Sequence, residues 1–135
     1  MRSKAQHIMV SSEASKRLRV LVVDDDPVVC ETMRLVLRGS GFVVAVVTEA
    51  RQAFARALHF QPDVALVDGY LDGMTGVDVV RALRGEPASR AIRIVALSGV
   101  AERTLLEDMR RAGADAFLTK PASLDTLLAT LRPQS

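Results

Sequence analysis

A single cysteine, Cys30, stands in a chain of 135 residues. No internal disulfide can staple the fold, and one free thiol, read as a buried helix residue, suits a reducing compartment. Histidine is almost as scarce: His7 falls in the leading segment and His59 at the end of a helical stretch, where it reads as a surface residue. Neither has the clustered cysteine and histidine partners that zinc requires. No apolar run approaches the roughly 18 residues of a membrane-spanning helix. The opening MRSKAQHIMVSSEASKR lacks the apolar stretch of about 7 to 15 residues that marks a secretion signal. These absences set the expectation of a soluble, cytoplasmic protein without membrane contact. Basic charge is also missing where a nucleic-acid surface would need it. The formal charge is +2, but residues 1–19 carry Arg2, Lys4, Lys16, Arg17 and Arg19 against Glu13, a net +4 that leaves −2 for the remainder. With no clustered basic face or docking motif in the body, direct nucleic-acid binding is not expected. Residues 1–17 read as a basic, poorly ordered lead-in, 18–132 as one folded domain and 133–135 as a short tail.

What the body does contain is an alternation of short β-branched runs with amphipathic stretches. The runs Arg19 to Val23, Phe42 to Val47, Asp63 to Val67, Arg93 to Leu97 and Ala116 to Leu118 are too short for helices and read as five strands. Between them lie five helical stretches. PVVCETMRLVLRGSG begins at Pro27, behind Asp26 as its cap, and repeats Val28, Val29, Thr32, Met33, Val36 and Leu37 at spacings near three and four. TEARQAFARALHF is expected to open on Thr48 as its cap. Gly76 to Arg84, Ala101 to Ala112 and Ser123 to Leu131 follow. Five strands each followed by a helix predict an α/β fold: a five-stranded parallel sheet covered on both faces by crossover helices.

In such sheets the carboxyl ends of the strands carry the chemistry. The first delivers Asp24 and Asp25, the third Asp68, the fourth Ser98 and the fifth Lys120. Three adjacent aspartates need an explanation, because two unit charges about 4 Å apart cost on the order of 4 kcal/mol at an effective dielectric near 20. Asp26 is accounted for as a cap. Asp24, Asp25 and Asp68 together can either hold a proton or hold a hard cation through oxygen. An open site with two or three carboxylates suits magnesium, and Lys120 and Ser98 add a charge and a hydroxyl for phosphate oxygens.

With these motifs in place, residues 18–132 resemble the receiver domain of two-component response regulators. VLVVDDDP is similar to its acidic first-strand motif, PDVALVDGYLDGMTG to its phosphorylation loop, IVALSG to its fourth-strand motif and DAFLTKP to its lysine and proline. The resemblance implies the flavodoxin-like, doubly wound strand order 2-1-3-4-5 with five helices. It implies that Asp68 accepts a phosphoryl group from a phosphohistidine on a sensor histidine kinase or histidine phosphotransfer protein, and that the chain is a regulatory phosphoacceptor rather than an enzyme acting on other molecules. Asp25 and Asp68 would bind Mg2+ directly, with Mn2+ as a substitute, Asp24 would hold a metal-bound water, and the backbone carbonyl of Tyr70 would complete the set. Lys120 would pair with the phosphoryl group and Ser98 would hydrogen-bond to it. Phe117 would be the aromatic switch, with an inward bias because it lacks a hydroxyl. The Lys120–Pro121 peptide would be cis, and Tyr70 and Val100 would shield the acyl phosphate and slow its hydrolysis.

The chain departs from the family pattern at Asp72, where proline is usual after the loop's Leu71. Two other functions compete. A haloacid dehalogenase-like phosphatase would want an acid two residues after its nucleophile, where this chain has Tyr70. A receiver-like scaffold would work without phosphate, and would not need the full set of aspartates, serine and lysine. With only PQS after residue 132, the expectation is either a stand-alone regulator or a receiver cut from a longer hybrid kinase or regulator. Its downstream partner, and whether it dimerises, are left open.

Overall fold

A computed structural model describes residues 17–71, 73–99 and 102–132. Five parallel strands form one sheet: β1 (Arg19–Val23), β2 (Val43–Val47), β3 (Val64–Asp68), β4 (Arg93–Gly99) and β5 (Ala116–Lys120), in the order β2-β1-β3-β4-β5. Among the described residues five α-helices connect and follow them: α1 (Pro27–Gly39), α2 (Ala53–Phe60), α3 (Gly76–Gly85), α4 (Arg103–Ala112) and α5 (Leu124–Leu131). The expected order therefore holds. None of these helices is long and apolar enough to cross a membrane.

The central strands are almost continuously buried because helices cover both faces, which is why they read as unbroken aliphatic runs. Alternate side chains serve two cores. Leu21, Val23, Ala65, Val67, Ile94 and Ala96 point to one face, packed with residues of α2, α3 and α4. Val20, Val22, Val64, Leu66, Val95 and Leu97 point to the other, with Cys30 and Leu37 of α1 and Leu127 and Leu131 of α5.

Several element boundaries differ from expectation. The third, fourth and fifth strands run on to Asp68, Gly99 and Lys120, because the ladder pairs Asp68 with Leu97, Ser98 with Thr119 and Gly99 with Lys120. Backbone pairing thus carries polar residues that hydrophobic patterning excludes. Asp63 stays outside its strand, its carboxylate accepting the Arg19 N–H at 2.8 Å. Phe42 precedes β2, its N–H bonded to Leu37 O at 3.1 Å. Thr48 caps nothing: it is exposed, a 3-10 turn at Ala50–Gln52 tucks Ala50 into the core, and α2 starts only at Ala53 without a side-chain cap. Ser123 is the cap of α5 rather than its first residue, accepting the Thr126 N–H. Glu102 likewise precedes α4, and Ala101 lies outside the described residues. In α1 the inward positions are Cys30 and Leu37 with half-buried Val29 and Met33, whereas Val28 is 71% exposed.

Candidate functional site

The site lies where strand order reverses. From β1 the chain runs to β2 on one side and, later, to β3 on the other, so the carboxyl ends of β1 and β3 form a crevice. Asp24, Asp25 and Asp68 each offer an oxygen there, all within 4.8 Å of one another. The three consecutive aspartates have distinct roles. Asp26 is the exposed cap, its Oδ1 accepting the Val28 N–H at 2.9 Å ahead of Pro27. Asp24 is 4% exposed and its Oδ1 accepts the Asp26 N–H at 3.0 Å. Asp25 is half-buried.

Burial is the main cause that pushes the Asp24 carboxyl up to about 6. The Asp26 hydrogen bond pulls it down, and the neighbouring Asp68 adds to the rise. Asp68, 7% exposed, receives the Tyr70 N–H on Oδ1 at 3.2 Å and the Lys120 ammonium on Oδ2 at 3.0 Å. Partial burial works against the Lys120 charge, but the hydrogen bond and charge of Asp68, with further help from Asp24 and Glu102, outweigh it and hold its pKa above the usual lysine value.

Ser98 is 1% exposed and its Oγ has no hydrogen-bond partner among the described residues. An unpaired buried hydroxyl costs roughly 1–3 kcal/mol, a cost that an acceptor brought to this strand end would remove. Phe117 is half-buried and packs against the α2–α3–α4 core. The Lys120–Pro121 peptide is cis. Tyr70 is 57% exposed. Val100 and Asp72 lie outside the described residues, as does His7, whereas His59 is an exposed residue of α2.

Other contributors are not marked by the strand-end pattern. Tyr70–Leu71 and Met74–Thr75 form a small antiparallel ladder directly after β3, with Gly73 at φ 76°. Thr75 and Asp78 then close a capping box on α3, which the threonine and acid three residues apart could have revealed. Gly76 donates its N–H to Gly69 O at 2.9 Å, and a Cβ on it would meet Asp68 O at 2.5 Å and Gly69 Cα at 2.9 Å. Cys30 lies beneath the crevice, its thiol donating to Asp24 O at 3.2 Å, and burial pushes that thiol up to about 11. Glu102 accepts the Gly99 N–H at 2.5 Å. No local motif in the sequence marks that last contact.

Doubly wound sheet, acidic crevice and opposed lysine together mark a class of regulatory signalling domains. Residues 20–132 match the family model of the response regulator receiver domain, and the chain belongs to that family. It is 38% identical over 117 residues to the DNA-binding response regulator MtrA of Mycolicibacterium smegmatis, covering 86% of this chain and 50% of that protein. The chain spans about half the length of the curated relatives it matches. The Vibrio cholerae chemotaxis protein CheY4 superposes with a TM-score of 0.80 at 28% identity, covering 86% of this chain and 97% of that one. The receiver domain of a sensor histidine kinase of Pseudomonas aeruginosa, solved with a magnesium ion coordinated in its active-site cleft, gives a TM-score of 0.78 at 28% identity, covering 86% of this chain and 95% of that one.

Proposed function

We propose that this chain receives a phosphoryl group on Asp68 from a phosphohistidine of a sensor histidine kinase or histidine phosphotransfer protein, and that the phosphorylated form switches contacts with a downstream partner. The observation that carries this reading is the Lys120 ammonium 3.0 Å from Asp68 Oδ2 at the edge of a three-carboxylate cluster. In the transfer, an Asp68 carboxylate oxygen attacks phosphorus and the bond from phosphorus to the imidazole nitrogen breaks. The electron pair stays on that nitrogen, which takes up a proton. Lys120 balances charge on the phosphoryl oxygens, and the unpaired Ser98 hydroxyl donates to one of them.

The donor set fits a hard divalent ion: three carboxylate oxygens lie within 4.8 Å of one another, and Asp24 is raised by burial and by Asp68. Asp25 and Asp68 would hold Mg2+ or Mn2+ directly, Asp24 through water, and the Tyr70 backbone carbonyl would add a fourth protein oxygen. Bound there, the ion supplies positive charge that offsets the carboxylates and the incoming phosphoryl oxygens. Phe117 is the side chain that responds when Ser98 engages phosphate, and Tyr70 with Val100 shields the acyl phosphate from water.

The relative MtrA is named as a DNA-binding response regulator, and the match to about half of it supports a signalling role for this chain. It also supports a cytoplasmic location, with a regulatory rather than metabolic role. Incubation with Mg2+ and a small phosphodonor, followed by intact mass, tests the reading. Wild type gains one phosphoryl group and Asp68→Asn gains none; uptake by the Asn variant, or none by wild type, refutes it. After donor removal the adduct decays slowly, and faster in Tyr70→Ala.

A further inference from the structure

Gly99, with its backbone N–H donor, follows Ser98 at the end of β4 and sits opposite Lys120 in the ladder. This donor is already engaged, giving a 2.5 Å hydrogen bond to Glu102 Oε1, while the Glu102 N–H returns a 3.2 Å bond to Gly99 O. Glu102 sits at the cap position of α4, yet its side chain makes no capping bond to that helix. It reaches back toward the site, and its charge is among those acting on Lys120. One residue before Gly99, the buried Ser98 hydroxyl has no hydrogen-bond partner among the described residues.

We propose that Glu102 is a resident anion on the Gly99 N–H and competes with the phosphoryl group of modified Asp68 for the donors around Ser98 and Lys120, making it a positioning residue that weakens the phosphorylated state. The inference rests on the phosphoacceptor reading above. A carboxylate and a phosphoryl group both favour charge-assisted N–H donors, and neither tolerates a second anion close by without cost. With Glu102 in place, a phosphoryl group meets a donor already taken and a nearby like charge. With Glu102 removed, it meets a free N–H and a Lys120 answering to one carboxylate fewer.

Beryllofluoride, a mimic of the acyl phosphate, is the probe, with Mg2+ present. Its binding is read by the emission of Tyr70, the one tyrosine in a chain without tryptophan, and the Gly99 amide resonance is followed by NMR. Glu102→Ala should shift the Gly99 amide upfield in the free protein and tighten beryllofluoride binding by about tenfold, equivalent to about 1.4 kcal/mol. Glu102→Gln, which keeps an oxygen but no charge, should fall between. A role confined to starting α4 predicts weaker binding and a lower melting temperature instead. Equal or weaker binding in both folded variants therefore overturns the inference. Loss of any response in wild type as well as in the variants overturns the phosphoacceptor reading, and this one with it.

Discussion

Asp24 shows how one backbone position sets the chemistry of its side chain. Its carboxyl is buried at the top of β1 and beside Asp68, so its pKa rises from 3.8 to about 6. A raised carboxyl stabilises the fold fully below its unfolded pKa and loses that contribution as pH climbs through the folded value. Between about pH 4 and 7 the metal-free protein should therefore lose stability at this residue, on the order of 1–2 kcal/mol once solvent screening is allowed for. Asp24→Asn keeps an oxygen for the Asp26 N–H but cannot ionise. In chelator, the melting temperature of wild type minus that of Asp24→Asn should fall as pH rises across that window. Excess Mg2+ should reverse the trend, because the ion competes with the proton for the same oxygens. A difference that stays flat or grows with pH in chelator contradicts the assignment.

The turn from β3 into α3 is built on a contact between backbones rather than between side chains. Gly76 lies against Asp68 O and Gly69 Cα, and neither can give way as a flexible side chain would. Gly76→Ala should cost about 1–3 kcal/mol by overpacking and should weaken Mg2+ binding by displacing Asp68. Gly39→Ala, where a Cβ meets nothing within 4 Å at the end of α1, should leave both unchanged or raise stability slightly. Calorimetry and metal titration of the two variants separate a local clash from a general intolerance of alanine. The same turn marks the boundary of what patterning discloses. The strands and the groups at four carboxyl ends follow from aliphatic runs and short motifs, which are local signals, and the strand order from the family resemblance those motifs carry. Thr48 misleads as a cap because burial of Ala50, a tertiary demand, fixes the start of the second helical segment. The Gly76 contact and the reach of Glu102 to Gly99 depend on how separate segments meet, so composition and spacing leave them invisible. In α1 the apolar repeat is wider than the buried face: Val28 belongs to the repeat by type and lies in solvent by position, whereas Cys30 is buried as expected.

Across the domain, the two ends of the sheet divide stability from chemistry. The acidic crevice occupies the carboxyl ends, and the opposite end is held by Arg84. Its guanidinium donates to Gly113 O at 2.9 Å, Arg90 O at 2.8 Å, Ile92 O at 2.6 Å and Asp115 Oδ2 at 2.6 Å. Asp115 Oδ2 also accepts the Ile94 N–H at 2.7 Å. One side chain thus ties the end of α3 to the entry of β4 and to the turn between α4 and β5. Gly113, at φ 121°, brings that turn against the arginine stem, where a Cβ would lie 2.9 Å from Arg84 Cγ. Removing the guanidinium leaves three carbonyls and a carboxylate without this donor, two of the bonds being partly buried. Arg84→Ala should lower unfolding free energy by about 2–4 kcal/mol, seen as a reduced midpoint in urea with little change in slope. Because Arg84 touches none of Asp24, Asp25, Asp68, Ser98 or Lys120, the folded variant should bind Mg2+ and take up phosphoryl groups at the wild-type rate well below its melting temperature. A variant that keeps its stability yet loses uptake would show that the amino end of the sheet is coupled to the crevice, and the separation argued from this geometry would fail.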